Sequence, residues 1–154
     1  VTRLNARLLI AALGDAAAPT PAEAYDEAAA AFRRGDVAVM GGLVAGQTTD
    51  AVGAGLAEYV DADLLVYATS VAGVFSADPA TEEGAVRHET LSPSELVDII
   101  ADIEMAAGSS APVDLLAAKL IERSGVRTVV LDGSDPERIV RAVTDGTFEG
   151  TEIV

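Results

Sequence analysis

Short apolar runs and longer amphipathic segments alternate along the chain. Residues 37–40 and 62–69 are almost continuously apolar, and residues 126–131 are rich in β-branched side chains, as in strands buried on both faces of a sheet. Residues 150–154 can add a closing strand. Apolar residues at helical spacing predict helices over residues 2–13, 21–34, 49–60, 92–107, 113–124 and 135–146. This order predicts an α/β fold with a mainly parallel sheet sandwiched by helices.

The ends of the helices carry local signals. Gly14 ends the first helix, and Ser92, Pro93 and Glu95 form a capping box at the start of the fourth. The first helix is apolar on nearly all sides, which predicts burial in a core or at a subunit contact. Few strands are predicted, and such a helix is unusual at the start of an intact domain. We therefore expect residues 1–154 to form one domain that begins in the middle of its fold.

The chain is strongly acidic. Twenty-five Asp and Glu residues stand against ten Lys and Arg residues, a formal net charge of −15. This charge argues against sequence-independent nucleic-acid binding, which needs a basic surface. Because the acids are spread through the chain, they predict a surface adapted to high salt in a halophilic cytoplasm. An acidic protein from an ordinary cell is the alternative.

Several other classes of site are excluded by the residues that the sequence lacks. The chain has no Cys, which removes disulfides and thiolate metal sites, and His88 is its only histidine, which removes a multi-His metal site within one chain. No apolar run is long enough to span a membrane. We expect a cytoplasmic protein with neither a membrane nor a nucleic-acid partner.

A glycine-rich segment after the first apolar run is the first candidate for chemistry. A glycine pair at residues 41–42 and a further Gly46 permit sharp turns and exposed amides, and residues 48–50 place Thr-Thr-Asp at the next helix start. A strand, a glycine loop and a helix start bind phosphate because free N–H groups there attract anions. An ordinary turn with an N-cap explains the same residues. The segment lacks the lysine of a Walker A loop, and Asp50 suits the holding of a lysine or Mg²⁺.

Two further candidates follow. Residues 69–79 leave the C-terminal end of a predicted buried strand, where ligands sit in open α/β sheets, and Phe75 with short polar groups would suit a purine. A plain strand-to-turn connection, marked by Asp78 and Pro79, is the alternative. Lys119 is the only lysine, but its position in the middle of a helix favours a solvated residue.

Taken together, these segments resemble the amino acid kinase superfamily, and most closely its archaeal-type uridylate (UMP) kinases. The resemblance is carried by residues 2–10 (Thr-Arg-Leu-Asn-Ala-Arg-Leu-Leu-Ile), 40–50, 69–79 and 107–119. It spans essentially the whole chain in the family's order. The Thr-Thr-Asp loop and the Gly-Val-Phe-x-Ala-Asp-Pro turn are specific as a pair.

The resemblance implies a function and a set of site residues. The family transfers the γ-phosphoryl of ATP to UMP, with Mg²⁺, in pyrimidine nucleotide biosynthesis. Asp50 matches an aspartate that orients phosphate-binding lysines, which implies a catalytic role. Thr69, Phe75 and Asp78 match positions that bind ATP. The positions that match the UMP-binding segment are Leu43, Val44, Ala45, Gly46, Gln47, Thr48 and Thr49.

The resemblance also implies an assembly and a missing part. Family members form homohexamers, so we expect a homo-oligomer in which the helix over residues 2–13 contacts another subunit. They begin with a strand and a glycine-rich loop carrying a lysine, which are absent here, so we expect little activity from the chain alone. A non-catalytic nucleotide-binding remnant of the fold and a kinase with another acceptor, such as an amino acid, remain open.

Overall fold

The computed structural model describes residues 1–105 and 111–154. Its helices, in chain order, are α1 (Thr2–Leu13), α2 (Tyr25–Arg34), α3 (Thr49–Tyr59), α4 (Pro93–Met105), α5 (Leu115–Ser124) and α6 (Pro136–Thr144). Its strands are β1 (Leu65–Thr69), β2 (Thr90–Leu91), β3 (Thr128–Asp132) and β4 (Gly150–Ile153). A short 3-10 turn, Gly14–Ala16, follows α1.

The four strands form one sheet in the order β1-β3-β4-β2. β1 and β3 are parallel, with Leu65 opposite Thr128 and Thr69 opposite Asp132. β4 is antiparallel to β3 and parallel to β2, so two of the three pairings are parallel. The predicted mainly parallel sheet and the predicted closing strand are confirmed. The two-residue β2 was not predicted, because so short a strand leaves no readable period in the sequence.

Helices cover both faces of this sheet. One face packs against α3, α4 and α5 through a core that includes Ala54, Tyr67, Leu96, Ile100, Ala117, Ile121, Val130 and Ile153. The other face packs against α6 through Val129, Leu131 and Ala142. The residues of β3 therefore alternate between two cores, which is why this strand reads as an unbroken apolar run.

Side chains at the helix starts explain where the helices begin. Thr48, Asp114 and Asp135 accept hydrogen bonds from the first turns of α3, α5 and α6. At α4 the predicted capping box is confirmed, because the Ser92 amide donates to Glu95 at 2.8 Å and the Glu95 amide donates to the Ser92 hydroxyl at 3.3 Å. The predicted end of that helix at residue 107 lies outside the described residues.

The strand predicted over residues 37–40 does not join the main sheet. It makes only two parallel bridges, Ala17 with Val37 and Ala22 with Met40. The Ala22 amide donates to the Val39 carbonyl at 2.9 Å, and this pairing also delays α2, which was expected to begin at residue 21. Val39 packs with Ala6 and Ala17 in a small separate core. Periodicity could not distinguish a short extended segment with its own partner from a strand of the main sheet.

Helix α1 is mostly exposed in the described structure, so of its two predicted surroundings the core of this chain does not apply, and the subunit contact stays a prediction. Only Ala6 of this helix is buried. Leu4 and Leu8 are each 63% exposed, and Leu9 is 51% exposed. Across the part of the chain that the structure describes, no helix is long and apolar enough to cross a membrane.

Candidate functional site

The two candidate segments meet at the C-terminal end of β1. Tyr67, in the middle of that strand, donates a hydrogen bond of 2.7 Å from its hydroxyl to the backbone carbonyl of Asp50 at the start of α3. Thr69 ends the same strand two residues later and opens the second segment. The neighbouring β3 ends beside it, and the Gly133 amide donates to the Thr69 carbonyl at 2.8 Å. Ligands of open α/β sheets bind at this edge.

The glycine pair serves a different purpose from the one expected. A Cβ added to Gly41 would lie 3.0 Å from the backbone nitrogen of Arg3, so the pair allows the start of α1 to approach closely. The Gly42 amide donates to the Thr2 hydroxyl at 3.1 Å, and its carbonyl accepts from Arg3 Nε at 3.2 Å. The expectation that this pair exposes its amides is therefore wrong for Gly42. Gly46 does adopt the left-handed backbone, with φ of 88°.

The starts of α3 and α5 are joined by a hydrogen bond between side chains. Thr48 accepts from the Ala51 amide at 3.1 Å and so caps α3. Its hydroxyl donates to the carboxylate of Asp114, whose other oxygen accepts from the Ala117 amide at 2.9 Å and caps α5. Two helix N-termini, both electrostatically positive, therefore lie close together beside residues 43–49.

Asp50 lies half-buried at this junction. Burial raises the pKa of its carboxyl above the ordinary value, and the negative charge of Asp114 raises that pKa further. A hydrogen bond from the Asp114 backbone amide acts in the opposite direction. Burial, followed by the charges of Asp50 and Asp114, likewise raises the pKa of the Tyr67 hydroxyl. The negative charge of Asp114 beside the Asp50 carboxyl therefore favours a cation at this junction.

The remaining residues of the predicted UMP segment vary in exposure. Leu43 and Gln47 are half-buried, and the exposed members are Val44, Ala45, Gly46, Thr48 and Thr49. The Gln47 amide donates to the Val44 carbonyl at 3.1 Å, which closes a turn around Gly46. Gln47 also borders a cavity of about 490 Å³ between α2, α3 and α5, whose lining includes Tyr25, Tyr59 and Leu116 but no residue of the 69–79 turn.

The second segment is a tightly held turn. The Thr69 hydroxyl donates to the Val71 carbonyl at 2.9 Å and accepts from the Val71 amide at 3.1 Å. Gly73 has φ of 132°, and a Cβ there would lie 2.6 Å from the Thr151 hydroxyl. That buried hydroxyl accepts from the Val74 amide at 2.8 Å and donates to the His88 carbonyl at 2.6 Å. Thr151 of β4 therefore fixes the turn from beneath.

Phe75 and Asp78 occupy the outer part of this turn. Phe75 is half-buried and forms an antiparallel bridge with Arg87, and the next amide, that of Ser76, donates to the Val86 carbonyl at 2.9 Å. Asp78 accepts from the Ala80 amide at 2.9 Å through its carboxylate. The structure thus gives both residues a role in the turn's own geometry, beside the ATP contacts that the resemblance implies.

Two other expectations concern Lys119 and the histidine. Lys119 is more than half exposed and pairs with Glu122 at 3.1 Å, as a solvated helix residue does. His88 is half-buried beside β4, and its Nε2 atom is buried without a hydrogen-bond partner among residues 1–105 and 111–154. Neither residue touches the junction of α3 and α5. Residues 107–110, which also carry the family resemblance, lie outside the described residues.

Sequence reasoning missed the residues that hold the site in place. Tyr67 was read as one apolar position of a strand, although a hydroxyl in the middle of an otherwise apolar run requires a partner. Asp114 belonged to a motif but not to the predicted site, although an acid directly before an apolar helix indicates an N-cap. Thr151 carried no signal, because a β-branched residue is ordinary in a strand.

The described residues contain no group of three or more His, Cys, Asp or Glu side chains that could hold a metal ion. Asp50 and Asp114 are a pair of carboxylates rather than a cage. Mg²⁺ typically uses one or two carboxylates together with substrate phosphates and water. These two carboxylates therefore fit Mg²⁺ only when the phosphates of a bound nucleotide supply further ligands.

Comparisons with known proteins agree on one family. The amino acid kinase family matches residues 1–132. The uridylate kinase of Haloarcula marismortui is 71% identical over 154 residues, which are all of this chain and 68% of that protein. The uridylate kinase of Halobacterium salinarum is 72% identical over 154 residues and is covered to 64%. The chain therefore spans about two thirds of the length of these curated relatives.

Solved structures give the same result for the fold. The crystal structure of the uridylate kinase from Archaeoglobus fulgidus has a TM-score of 0.87 and 45% sequence identity, and the match covers 99% of this chain and 67% of that one. The UMP kinase from Ureaplasma parvum, at 17% identity, shares the fold with a TM-score of 0.74. The resemblance drawn from the sequence and the predicted fold class are confirmed. The halophilic archaeal relatives also agree with the acidic surface.

Proposed function

The chain belongs to the amino acid kinase family, and we propose that it supplies the acceptor loop and the ATP turn of a uridylate kinase. The reaction is transfer of the γ-phosphoryl of ATP to UMP, which gives UDP. The observation that carries this proposal is the junction at the C-terminal end of β1. There Asp50, the proposed catalytic residue, is held by Tyr67. The 43–49 segment ends directly before Asp50, and the 69–79 segment starts two residues after Tyr67.

The acceptor loop, residues 43–49, would hold UMP. Its last residue begins α3, and a helix N-terminus favours a phosphate through its amides and its dipole. Gly46 provides a backbone turn that other residues adopt at a cost, so the loop can curve around a small ligand. The Thr48 and Thr49 hydroxyls add neutral hydrogen-bonding groups, which fix orientation without repelling the phosphate.

Asp50 would act on a cation and not on the phosphate. A carboxylate next to a phosphate repels it, whereas a carboxylate that orients a lysine ammonium places positive charge at the transferred group. Phosphoryl transfer depends chiefly on positioning and on charge neutralisation. Asp50 suits this role because its backbone carbonyl accepts a hydrogen bond from Tyr67, which fixes its place at the start of α3. Lys119, paired with Glu122 on an exposed helix face, is not the lysine concerned.

The 69–79 turn would bind ATP through Thr69, Phe75 and Asp78. Its rigidity supports this role, because Thr151 and the pairing with residues 86–88 fix its shape before a ligand arrives. Mg²⁺ would enter with the ATP phosphates and supply charge neutralisation there. We assign the chain to pyrimidine nucleotide biosynthesis in the cytoplasm on the same basis.

A homo-oligomer is part of the proposal. The exposed leucines of α1 form an apolar surface, and residues 1–14 contain Arg3 and Arg7 but no acidic residue. In a chain with a net charge of −15, this is a surface where two copies approach with little repulsion. Sedimentation in high salt tests the assembly, and a monomer at all concentrations would contradict it.

Acceptor choice provides the test of function. The chain is assayed as given and also fused to the remaining third of its Haloarcula marismortui relative, with ATP and Mg²⁺ in high salt. UMP, CMP, glutamate and aspartate serve as acceptors. We expect the fusion to phosphorylate UMP in preference to the others, and Asp50→Asn to lower kcat far more than it changes either KM. A preference for another acceptor would reject the uridylate assignment, and ATP binding without turnover by the fusion would favour a non-catalytic role.

A further inference from the structure

The carboxylate of Asp114 joins the start of α5 to a distant part of the chain. One carboxylate oxygen accepts from the Ala117 amide at 2.9 Å, which is the cap of α5. The other oxygen accepts from the hydroxyl of Thr48, 66 residues earlier in the chain. Asp114 also lies close enough to Asp50 for its negative charge to raise the pKa of that carboxyl. One residue therefore contacts the end of the proposed acceptor loop and lies near the proposed catalytic carboxylate.

The cap of α5 does not by itself require a charged residue here. Asn and Ser cap helices about as well as Asp, and neither would add a negative charge beside Asp50. That charge is unfavourable for the fold, because it contributes to the raised pKa of Asp50. The hydrogen bond from the Thr48 hydroxyl is an interaction that the negative charge of Asp114 strengthens. A carboxylate accepts a hydroxyl hydrogen bond more strongly than a neutral amide oxygen does.

We propose that Asp114 is a positioning residue of the phosphoryl-transfer site, acting through Asp50 and Thr48. Its carboxylate holds Thr48, and Thr48 caps the first turn of α3, where Asp50 lies. This role rests on the proposed function. It differs from a helix cap because its effect must appear in α3 and in catalysis, as well as in α5.

Hydrogen exchange of the chain as given tests the contact without any need for activity. Asp114→Ala should increase amide exchange in the first turn of α5 and also in the first turn of α3, residues 49–52. The matched control is Asp135→Ala, because Asp135 caps α6 in the same way, accepting from the Glu137 amide at 3.0 Å. The control should increase exchange in α6 alone. If Asp114→Ala changes only α5, Asp114 is merely a cap and the proposal is wrong.

Kinetics of the active fusion test the consequence. Asp114→Asn keeps the cap and removes the charge, and we expect kcat to fall by about 10-fold to 100-fold, as when an outer residue misplaces a reacting group. If Asp114 acts through Asp50, the double variant with Asp50→Asn should be no slower than Asp50→Asn alone. Asp135→Asn should leave kcat unchanged. Additive losses, or an unchanged kcat in Asp114→Asn, would overturn the proposal.

The two experiments separate this inference from the proposed function. A fusion that phosphorylates no UMP would reject the function, and hydrogen exchange would still decide whether Asp114 fixes the start of α3. A fusion that is active and insensitive to Asp114→Asn would leave the function standing and reject the positioning role.

Discussion

Tyr67→Phe removes one oxygen atom from the residue that ties β1 to the start of α3. Tyr67 is 8% exposed, and its hydroxyl lies 2.7 Å from the Asp50 carbonyl. Because the ring remains, no cavity forms, and the loss is that of one intramolecular hydrogen bond, about 1 kcal/mol. For a chain of this size, that free energy corresponds to a decrease in Tm of roughly 2–4 °C.

The same substitution should also affect catalysis. If the full energy of the Tyr67 hydrogen bond, about 1 kcal/mol, contributes to positioning Asp50 for the transition state, its loss decreases kcat about fivefold. Denaturant unfolding in high salt measures the stability, and initial rates of the active fusion with UMP measure kcat. Tyr59→Phe is the matched control, because Tyr59 is the last residue of α3, the helix that Tyr67 contacts, but is 56% exposed.

The control should change neither quantity measurably. Equal stability of Tyr67→Phe and the parent protein would show that the hydrogen bond contributes no net energy. An unchanged kcat together with a loss of stability would show that Asp50 does not depend on Tyr67 for its position. Either result would refute the reasoning for that step.

Two further predictions concern charge. The pKa of Asp50 is raised above its ordinary 3.8, so the folded state binds this proton more tightly than the unfolded state does. The ionised carboxylate therefore lowers the free energy of unfolding at neutral pH. This loss of stability disappears as the pH falls through the folded pKa to below 3.8. Asp50→Asn should therefore unfold at higher denaturant than the parent at pH 7 and at the same denaturant in strong acid; a neutral variant that is less stable at pH 7 would contradict this. With a net charge of −15, the chain should also lose thermal stability on dialysis from molar salt into dilute buffer, and an unchanged melting curve would be evidence against salt adaptation.

The fold was largely readable where the information is local. The caps at Ser92 and Asp135 and the apolar run in β3 follow from residues close in sequence, and α4, β3 and α6 lie within a few residues of their predicted bounds. The strand predictions failed where pairing between residues distant in sequence determines the structure. Residues 37–40 pair with residues 17–22 instead of joining the main sheet, and the short β2 exists because β4 lies beside it.

The candidate site divides in the same way. Asp50 and both loops were selected from the sequence through a family pattern, and their roles in binding and catalysis stay predictions. Their arrangement was not readable, because Thr48 and Asp114 are 66 residues apart. The glycine pair shows the limit clearly. Two successive glycines are compatible with an anion-binding loop. In the structure, however, the pair lies against the start of α1, and the Gly42 amide donates a hydrogen bond to the Thr2 hydroxyl.

The α/β pattern, the helix caps, the acidic surface and the family kinship could be predicted from the sequence, because each is a property of neighbouring residues or of overall composition. The folded structure was needed to show that Tyr67 binds the Asp50 carbonyl, that Asp114 binds Thr48, that Thr151 supports the second turn, and that the leucines of α1 face outward. These facts depend on contacts between residues distant in sequence. Hydrophobic period and local propensity record which face of an element is buried, but not which partner buries it.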